Sequence, residues 1–290
     1  MYAVAGTLRA VGFDLERLEV YGDPVPVVEK VLTRGTGAAN FSIARDGSLA
    51  YLEGDVQGSG STLVWVDRQG REEPVGVPPR TYAYPRISPD GTRVALDIRD
   101  QDNDIWIWTF ARQTLTRLTF DPALNRGVAW SPDGRRVAFS AQRDGSENIY
   151  WQAADGTGAA EPVTEGPDTK FPSLFSPDGT RLTFYQPSSP PYDIGIVNLE
   201  GQKRAEMLIK TSFSETNAEI SPDGRWLAYE SNESGRAEIY VRPFPEINSG
   251  KWQISVGGGT RPLWGAKRPR TFLLCPWPRN GRFYSARIRL

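Results

Sequence analysis

Histidine is absent from this 290-residue sequence, and cysteine occurs once, at Cys275. The first absence removes the usual general base of hydrolytic triads and the commonest transition-metal ligand. A single cysteine excludes an internal disulfide and a thiolate metal cluster, and it leaves the redox compartment open. Excess charge of one sign is missing as well. Lys+Arg 34 against Asp+Glu 35 leave a formal charge of −1, so no net field draws the protein toward nucleic acid or anionic lipid. No stretch approaches the roughly 18 apolar residues of a membrane-spanning helix. Met1-Tyr2-Ala3-Val4-Ala5-Gly6 has neither the basic start nor the apolar core of a secretory signal.

What is present is a repeat. Ser88-Pro89-Asp90-Gly91, Ser131-Pro132-Asp133-Gly134, Ser176-Pro177-Asp178-Gly179 and Ser221-Pro222-Asp223-Gly224 each precede an apolar strand, and Ala44-Arg45-Asp46-Gly47 is an eroded copy. The aspartates at 46, 90, 133, 178 and 223 give steps of 44, 43, 45 and 45. That matches the roughly 40 to 45 residue period of a four-stranded propeller blade. In the copy around Asp133, Gly127–Ser131 reads as a short innermost strand and Pro132-Asp133-Gly134 as its hairpin. Arg136–Ser140 is the second strand, Asn148–Gln152 the third and Glu161–Thr164 a short edge strand. The turn chemistry explains itself: Asp bonds amides two residues on, Pro presets φ, and Gly supplies positive φ.

The second strands, Val94-Ala95-Leu96, Val137-Ala138-Phe139, Leu182-Thr183-Phe184 and Leu227-Ala228-Tyr229, are nearly continuously apolar, as strands covered on both faces should be. Trp65, Trp106, Tyr150 and Tyr240 recur in the third strands and read as packing between blades rather than a ligand cage. The ends differ from the middle. Residues 7–14 and 25–31 look like third and fourth strands without the first two, while 261–264 and 271–275 supply two more. The expected fold is therefore all-β, a six-bladed propeller of four-stranded antiparallel blades whose sixth blade is closed by both termini. It forms one domain over 1–290: a half-blade over 1–33, repeats over about 40–80, 81–122, 123–166, 167–213 and 214–258, and a degenerate closing half-blade over 259–290. Starting inside a blade and ending off-register, the chain reads as a segment of a longer gene product.

The Ser-Pro-Asp-Gly turn, followed by Arg-x-apolar-Ala-aromatic and then an Ile-Tyr or Ile-Trp strand, resembles TolB-type propeller repeats over residues 40–264. Trp65-Val66-Asp67-Arg68-Gln69-Gly70, Arg117-Leu118-Thr119-Phe120-Asp121-Pro122 and Ile239-Tyr240-Val241-Arg242-Pro243-Phe244-Pro245 look like propellers appended to bacterial serine/threonine protein kinases. That likeness implies a sensory or protein-interaction module, outside the cytoplasmic membrane in the full-length relative. No Gly-rich phosphate loop or His-Arg-Asp loop accompanies it. Prolyl oligopeptidases carry related propellers, yet the Gly-x-Ser-x-Gly elbow of their hydrolase domain has no counterpart here.

These readings favour a non-catalytic module that binds a protein, a peptide or a small anionic ligand. No cofactor, nucleic acid or membrane insertion is expected, and the protein should be a monomer. The expected site is the channel mouth, where loops enter the innermost strands: Tyr84, Arg86, Arg126, Lys170, Phe171, Asn217 and Arg261 occupy equivalent places in successive repeats but differ from blade to blade. The alternative is a hydrolase of esterase, lactonase or glycosidase type, running on loop carboxylates or a bound calcium. Its candidates are Asp100, Asp102 and Asp104, in an acidic run with Asp97, together with Glu215 and Glu230. Solvated loop acids are the plainer reading of that run, because the glycine and distant Glu of a calcium loop are missing.

Overall fold

In a computed structural model of the chain, the described residues are 2–4, 7–14, 19–29, 31, 41–43, 48–53, 62–66, 72–99, 103–143, 145–187, 191–264 and 272–273. The eroded turn at 44–47 and the closure over 265–271 and 274–290 lie outside them. An N-terminal sheet holds β1 (Tyr2–Val4), β2 (Thr7–Asp14) and β3 (Glu19–Val28). The first blade comprises β4 (Phe41–Ile43), β5 (Leu49–Glu53), β6 (Thr62–Val66) and β7 (Glu72–Pro74). The second holds β8 (Tyr82–Ile87), β9 (Arg93–Arg99), β10 (Asn103–Thr109) and β11 (Thr114–Arg117). In the third are β12 (Asn125–Trp130), β13 (Arg136–Arg143), β14 (Ser146–Ala153) and β15 (Glu161–Pro162). The fourth has β16 (Phe171–Phe175), β17 (Arg181–Pro187), β18 (Tyr192–Asn198) and β19 (Ala205–Ile209). The fifth runs through β20 (Glu215–Ile220), β21 (Trp226–Ser231), β22 (Glu238–Pro243) and β23 (Trp252–Gln253), and a two-stranded sheet of β24 (Leu263–Trp264) and β25 (Phe272–Leu273) follows. A single 3-10 turn at Ile247–Ser249 is the only helical element among the described residues.

The ring thus has five four-stranded blades, not the six expected. The termini form separate three- and two-stranded sheets instead of joining into one blade. The reason lies in pairing: Tyr2–Val4 turns back onto Thr7–Arg9, occupying the edge of β2 that a C-terminal strand would have needed, while β3 takes the other edge. Among the described residues β24 and β25 are hydrogen-bonded only to each other, Leu263 opposite Leu273 and Trp264 opposite Phe272, although β25 lies beside β2. The N-terminal sheet fills the gap between the fifth and first blades. Val11 packs with Ala228, Ile239 and Val241 of the fifth, and Leu8 and Val28 pack with Phe41, Leu49 and Tyr51 of the first.

Each described intact turn is held the same way. The serine hydroxyl donates to the aspartate carboxylate, at 2.5 Å in Ser88–Asp90, 2.6 Å in Ser131–Asp133, 2.5 Å in Ser176–Asp178 and 2.6 Å in Ser221–Asp223. The carboxylate also accepts the amide two residues on, from Thr92, Arg135, Thr180 and Arg225. The serine oxygen accepts the amide that opens the next strand, from Arg93, Arg136, Arg181 and Trp226. Gly134 sits at φ 67°, and a Cβ there would meet Pro89 of the preceding blade at 3.7 Å. Gly179 meets Pro132 at the same 3.7 Å, so each proline lies against the next glycine around the ring.

The core is a set of interfaces between blades rather than one centre. Ala95, Ile105 and Ile107 of the second blade pack on Val128, Val137 and Phe139 of the third, and Ala138 and Ile149 of the third pack on Leu182 and Phe184 of the fourth. Burying the Val, Leu, Ile and Phe side chains among them stabilises the fold by about 1.5–3 kcal/mol each. Indoles tie neighbours together as well: Trp130 Nε1 donates to the Arg86 carbonyl at 2.8 Å and Trp264 Nε1 to the Glu219 carbonyl at 2.8 Å.

Two stability predictions follow from this geometry. Hydrogen bonding from the Ser131 hydroxyl and the Arg135 amide holds Asp133 below the usual carboxylate range. A depressed carboxylate contributes stability that is present above its unfolded pKa and lost as pH falls through the folded value. Asp133→Ala should therefore cost about 1–2 kcal/mol in denaturant unfolding at neutral pH, with the deficit narrowing below about pH 4. Gly195 lies opposite Phe184, whose ring fills the space a Cβ would take. Gly195→Ala should destabilise by about 1–3 kcal/mol, read from the same unfolding curves.

Candidate functional site

Near its start each of four innermost strands breaks register, between Ala83 and Arg86, Arg126 and Ala129, Pro172 and Leu174, and Thr216 and Glu219. A β-bulge re-aims the side chains around it. At these breaks Tyr84 has φ 49°, Gly127 φ 65° and Asn217 φ 53°, and Arg261, one repeat beyond Asn217, has φ 52°. Left-handed backbone at three non-glycine residues costs on the order of 1–3 kcal/mol each, and such strain persists only where the surroundings enforce it. All three project onto the same place.

That place is the channel axis. Arg86 Nη2 of the second blade lies 3.9 Å from Glu219 Oε1 of the fifth. The third and fourth blades separate these two on one side, and the first blade and the terminal sheets on the other, so the ion pair spans the channel. Arg261 reaches across in the same way, its Cζ 4.8 Å from the centre of the Tyr84 ring. Arg99 Cζ stands 5.4 Å from the same ring and is held by Asp97 in a bidentate pair at 2.9 and 2.7 Å. Glu230 Oε2 accepts from Asn217 Nδ2 at 2.8 Å and from the Arg261 amide at 3.3 Å. Tyr185 of the fourth blade stacks on Phe171, with ring centres 5.0 Å apart.

The electrostatics of this cluster are unbalanced. Arg261 is only 8% exposed, its Nε has no hydrogen-bond partner, and no described carboxylate forms an ion pair with it. Burial lowers its pKa, and the Arg86 cation adds to that, although a guanidinium stays protonated. Burial pushes the Glu219 carboxyl up to about 7, against the pull of Arg86 and Arg261. Glu230 is raised by burial too, opposed by the Asn217 hydrogen bond. Near neutral pH the axis therefore carries more positive than negative charge.

Of the seven residues expected at the channel mouth, Tyr84, Arg86, Asn217 and Arg261 converge on the axis. Phe171 touches the cluster through Tyr185. Arg126 lies 5.7 Å from the Phe171 ring, but its guanidinium is engaged by Glu147 at 3.0 and 2.9 Å. Lys170 is buried and bonds Asn148 and the carbonyls of Glu165 and Asp168, so it staples its own loop. Among the alternative acids, Asp104 is buried against Arg117 at 2.5 Å and Thr119 at 2.7 Å, and Glu215 accepts from Thr211 and Ser231. Asp100 and Asp102 lie outside the described residues. Among the described residues no cluster of three or more acidic or cysteine side chains is placed to hold a metal ion.

Sequence reasoning missed Glu219, Arg99 and Tyr185, and it took Asp97 only as part of an acidic run. The first left a signal: four positions before the turn aspartate, the repeats carry Arg86, Ala129, Leu174 and Glu219, so two charged residues stand where small or apolar ones suffice. The other three come from second strands, whose apolar pattern draws attention to packing.

The TolB beta propeller domain model matches residues 38–174, and the likeness read from the repeats is borne out. An uncharacterized protein of Agrobacterium fabrum, Atu1656, is 31% identical over 176 residues, covering 59% of this chain and 58% of that one. An uncharacterized peptidase of Bacillus subtilis, YuxL, is 27% identical over 192 residues, covering 51% of this chain and 29% of its own length. The chain thus spans less than two thirds of these curated relatives. The solved structure of a TolB candidate from Agrobacterium tumefaciens superposes with a TM-score of 0.65 at 18% identity, covering 85% of this chain and 88% of that one. Some further structures of the same fold are peptidases or lyases, and they share the fold alone.

A carboxyl whose folded pKa is raised contributes stability that is present below its unfolded pKa and lost as pH rises through the folded value. For Glu219 that window runs from the usual glutamate range up to about pH 7. Glu219→Gln, neutral throughout, should therefore gain stability relative to wild type across this window, by on the order of 1–3 kcal/mol, as measured by urea unfolding at a series of pH values.

Proposed function

We propose that this chain, whose repeats are of the TolB β-propeller type, is a non-catalytic recognition module that binds an anionic group of a protein, peptide or small-molecule partner at the mouth of its channel. The observation that carries the reading is that exposed apolar side chains and the cationic axis share one face. In an up-and-down four-stranded blade, loops entering innermost strands and hairpins joining second to third strands lie on the same side. Every exposed large hydrophobic among the described residues is there. Phe120, 72% exposed, and Leu124 precede β12; Tyr192 opens β18; Phe213 precedes β20; and Val256, 85% exposed, lies between β23 and β24. The opposite face carries the Ser-Pro-Asp-Gly turns, which engage one another. An apolar rim around a charged centre is the layout of a docking surface.

The chemistry of the axis fits binding better than turnover. Its donors are guanidinium and phenol groups, and no described serine or lysine is paired with a base there. One feature favours a second reading. Glu219 ionises near neutrality in the same channel as Glu230, which would suit a hydrolase of ester, lactone or glycoside type.

Fluorescence anisotropy with a labelled hexaglutamate peptide tests the preferred reading. Binding should weaken as salt rises, and Arg86→Ala and Phe120→Ser should each lower affinity by roughly five- to tenfold, on the order of 1 kcal/mol. Salt-independent binding unaffected by either substitution would overturn it. Turnover of an ester, lactone, glycoside or phosphoester panel that disappears in Glu219→Gln would establish the second reading instead.

A further inference from the structure

The binding reading leaves the Arg261 guanidinium unexplained. A cation more than nine-tenths buried normally has a carboxylate against it, since an uncompensated buried charge is strongly destabilising. Even the half-buried Arg99 and Arg126 are each held by a carboxylate, Asp97 and Glu147, and the buried Lys170 ammonium is met by the Asn148 side chain and two backbone carbonyls. Arg261 has no such partner among the described residues, yet the backbone is held in a left-handed conformation to place it there. Glu230 acts on it electrostatically, but the Glu230 carboxylate accepts from the Asn217 side chain and the Arg261 amide rather than from the guanidinium. No carboxylate among the described residues therefore closes an ion pair on the Arg261 guanidinium, although Glu230 and Glu219 act on it through space.

The loose Arg86–Glu219 pair explains how room for it is made. At 3.9 Å the two are in electrostatic contact without a hydrogen bond, whereas Arg99 and Arg126 bind their carboxylates at 2.7 to 3.0 Å. Arg86 and Arg261 act on one another and on Glu219, and they are its charged neighbours among the described residues.

Resting on the binding reading above, we propose that the channel takes a monocarboxylate whose carboxylate bridges Arg261 and Arg86, and that it enters with one proton from solvent, which Glu219 takes up as it gives up Arg86. The balance is simple: one anion and one proton enter, no covalent bond of the ligand changes, and the channel's net charge is unchanged. Burial already makes protonation of Glu219 easy near neutrality, and a second negative charge beside it makes it easier. The stacked Phe171–Tyr185 pair adjoining the cluster favours a carboxylate carried on an apolar or aromatic body.

Isothermal titration calorimetry with benzoate tests this on the intact chain. The expected affinity is flat below about pH 7, where Glu219 already holds its proton, and falls about tenfold per pH unit above it, where binding heats should vary with buffer ionisation enthalpy as uptake of close to one proton requires. Glu219→Gln should bind benzoate with pH-independent affinity and no proton uptake, and Arg261→Met should lose binding while keeping the wild-type circular dichroism spectrum. If Arg261→Met fails to fold, Arg261→Lys, which keeps the charge but loses the bridging fork, should weaken binding at least tenfold. Benzoate binding that needs Arg261 but is pH-flat and proton-free overturns the proton linkage and leaves the binding reading standing. Loss of benzoate binding alone, with salt-dependent hexaglutamate binding intact, overturns the carboxylate assignment. Absence of both overturns the two together.

Discussion

The hydrogen bond from the turn serine to the turn aspartate is the constraint on which the ring depends. It fixes the hairpin between the first two strands of a blade, and with them the strand that faces the channel and the one buried most deeply. Because the aspartate also accepts an amide and the serine oxygen accepts another, the turn is closed by side chains as well as backbone, and its shape repeats. The proline then lies against the glycine of the next turn, so a local motif also carries information about neighbour placement. A fold whose core is divided among blade interfaces needs such a device, since no central cluster sets the angle from one blade to the next.

This arrangement separates the work of the two faces. Turn residues are uniform because each does the same job, and they use their polar groups on one another. At the other end of the same strands, bulges let the chain depart from uniformity without disturbing the hairpins. Tyr84, Gly127, Pro172 and Asn217 share one repeat position, six before the turn aspartate, yet have nothing chemical in common. What they share is a break in register that turns the backbone toward the axis. The scaffold thereby supplies strained, inward-aimed positions whose side chains are free to differ.

The repeat and its strands were legible because they are local. Val137-Ala138-Phe139 is apolar at every position, and each residue is fully buried between two blades. The blade count was not legible, because closure depends on which termini pair. Tyr2–Val4 has no counterpart in the repeat, and its hairpin with β2 replaces the partnership expected of the C-terminal strands. The site was legible in the same proportion. Tyr84, Asn217 and Arg261 stand in phase with the repeat and could be found by counting. Glu147 could not, since it neutralises Arg126 from a third strand 21 residues away, and neither could the pairing of Arg86 with Glu219 across the ring.

That last contact shows why a propeller can build a site that no segment of its sequence contains. Arg86 and Glu219 sit at one repeat position, three repeats apart, and that half-turn of the ring sets them face to face. Residues half a ring apart in such a chain are the ones most able to interact through the axis, although they are the most distant in the order of blades. A charge placed at that position in one repeat therefore selects for an opposite charge in the repeat that faces it. Arg261 stands two residues earlier in the repeat, at the position of Tyr84 and Asn217, and there the pairing across the axis differs: it crosses toward Tyr84 and meets an aromatic face in place of an anion. In a low-dielectric channel an aromatic ring is a weak substitute for a carboxylate, since cation–π attraction is worth about 2 kcal/mol when desolvated against several kcal/mol for burying the ion. The deficit is tolerable in a marginally stable fold only if the position does something that pairing would prevent, and holding an incoming anion is the use its chemistry allows.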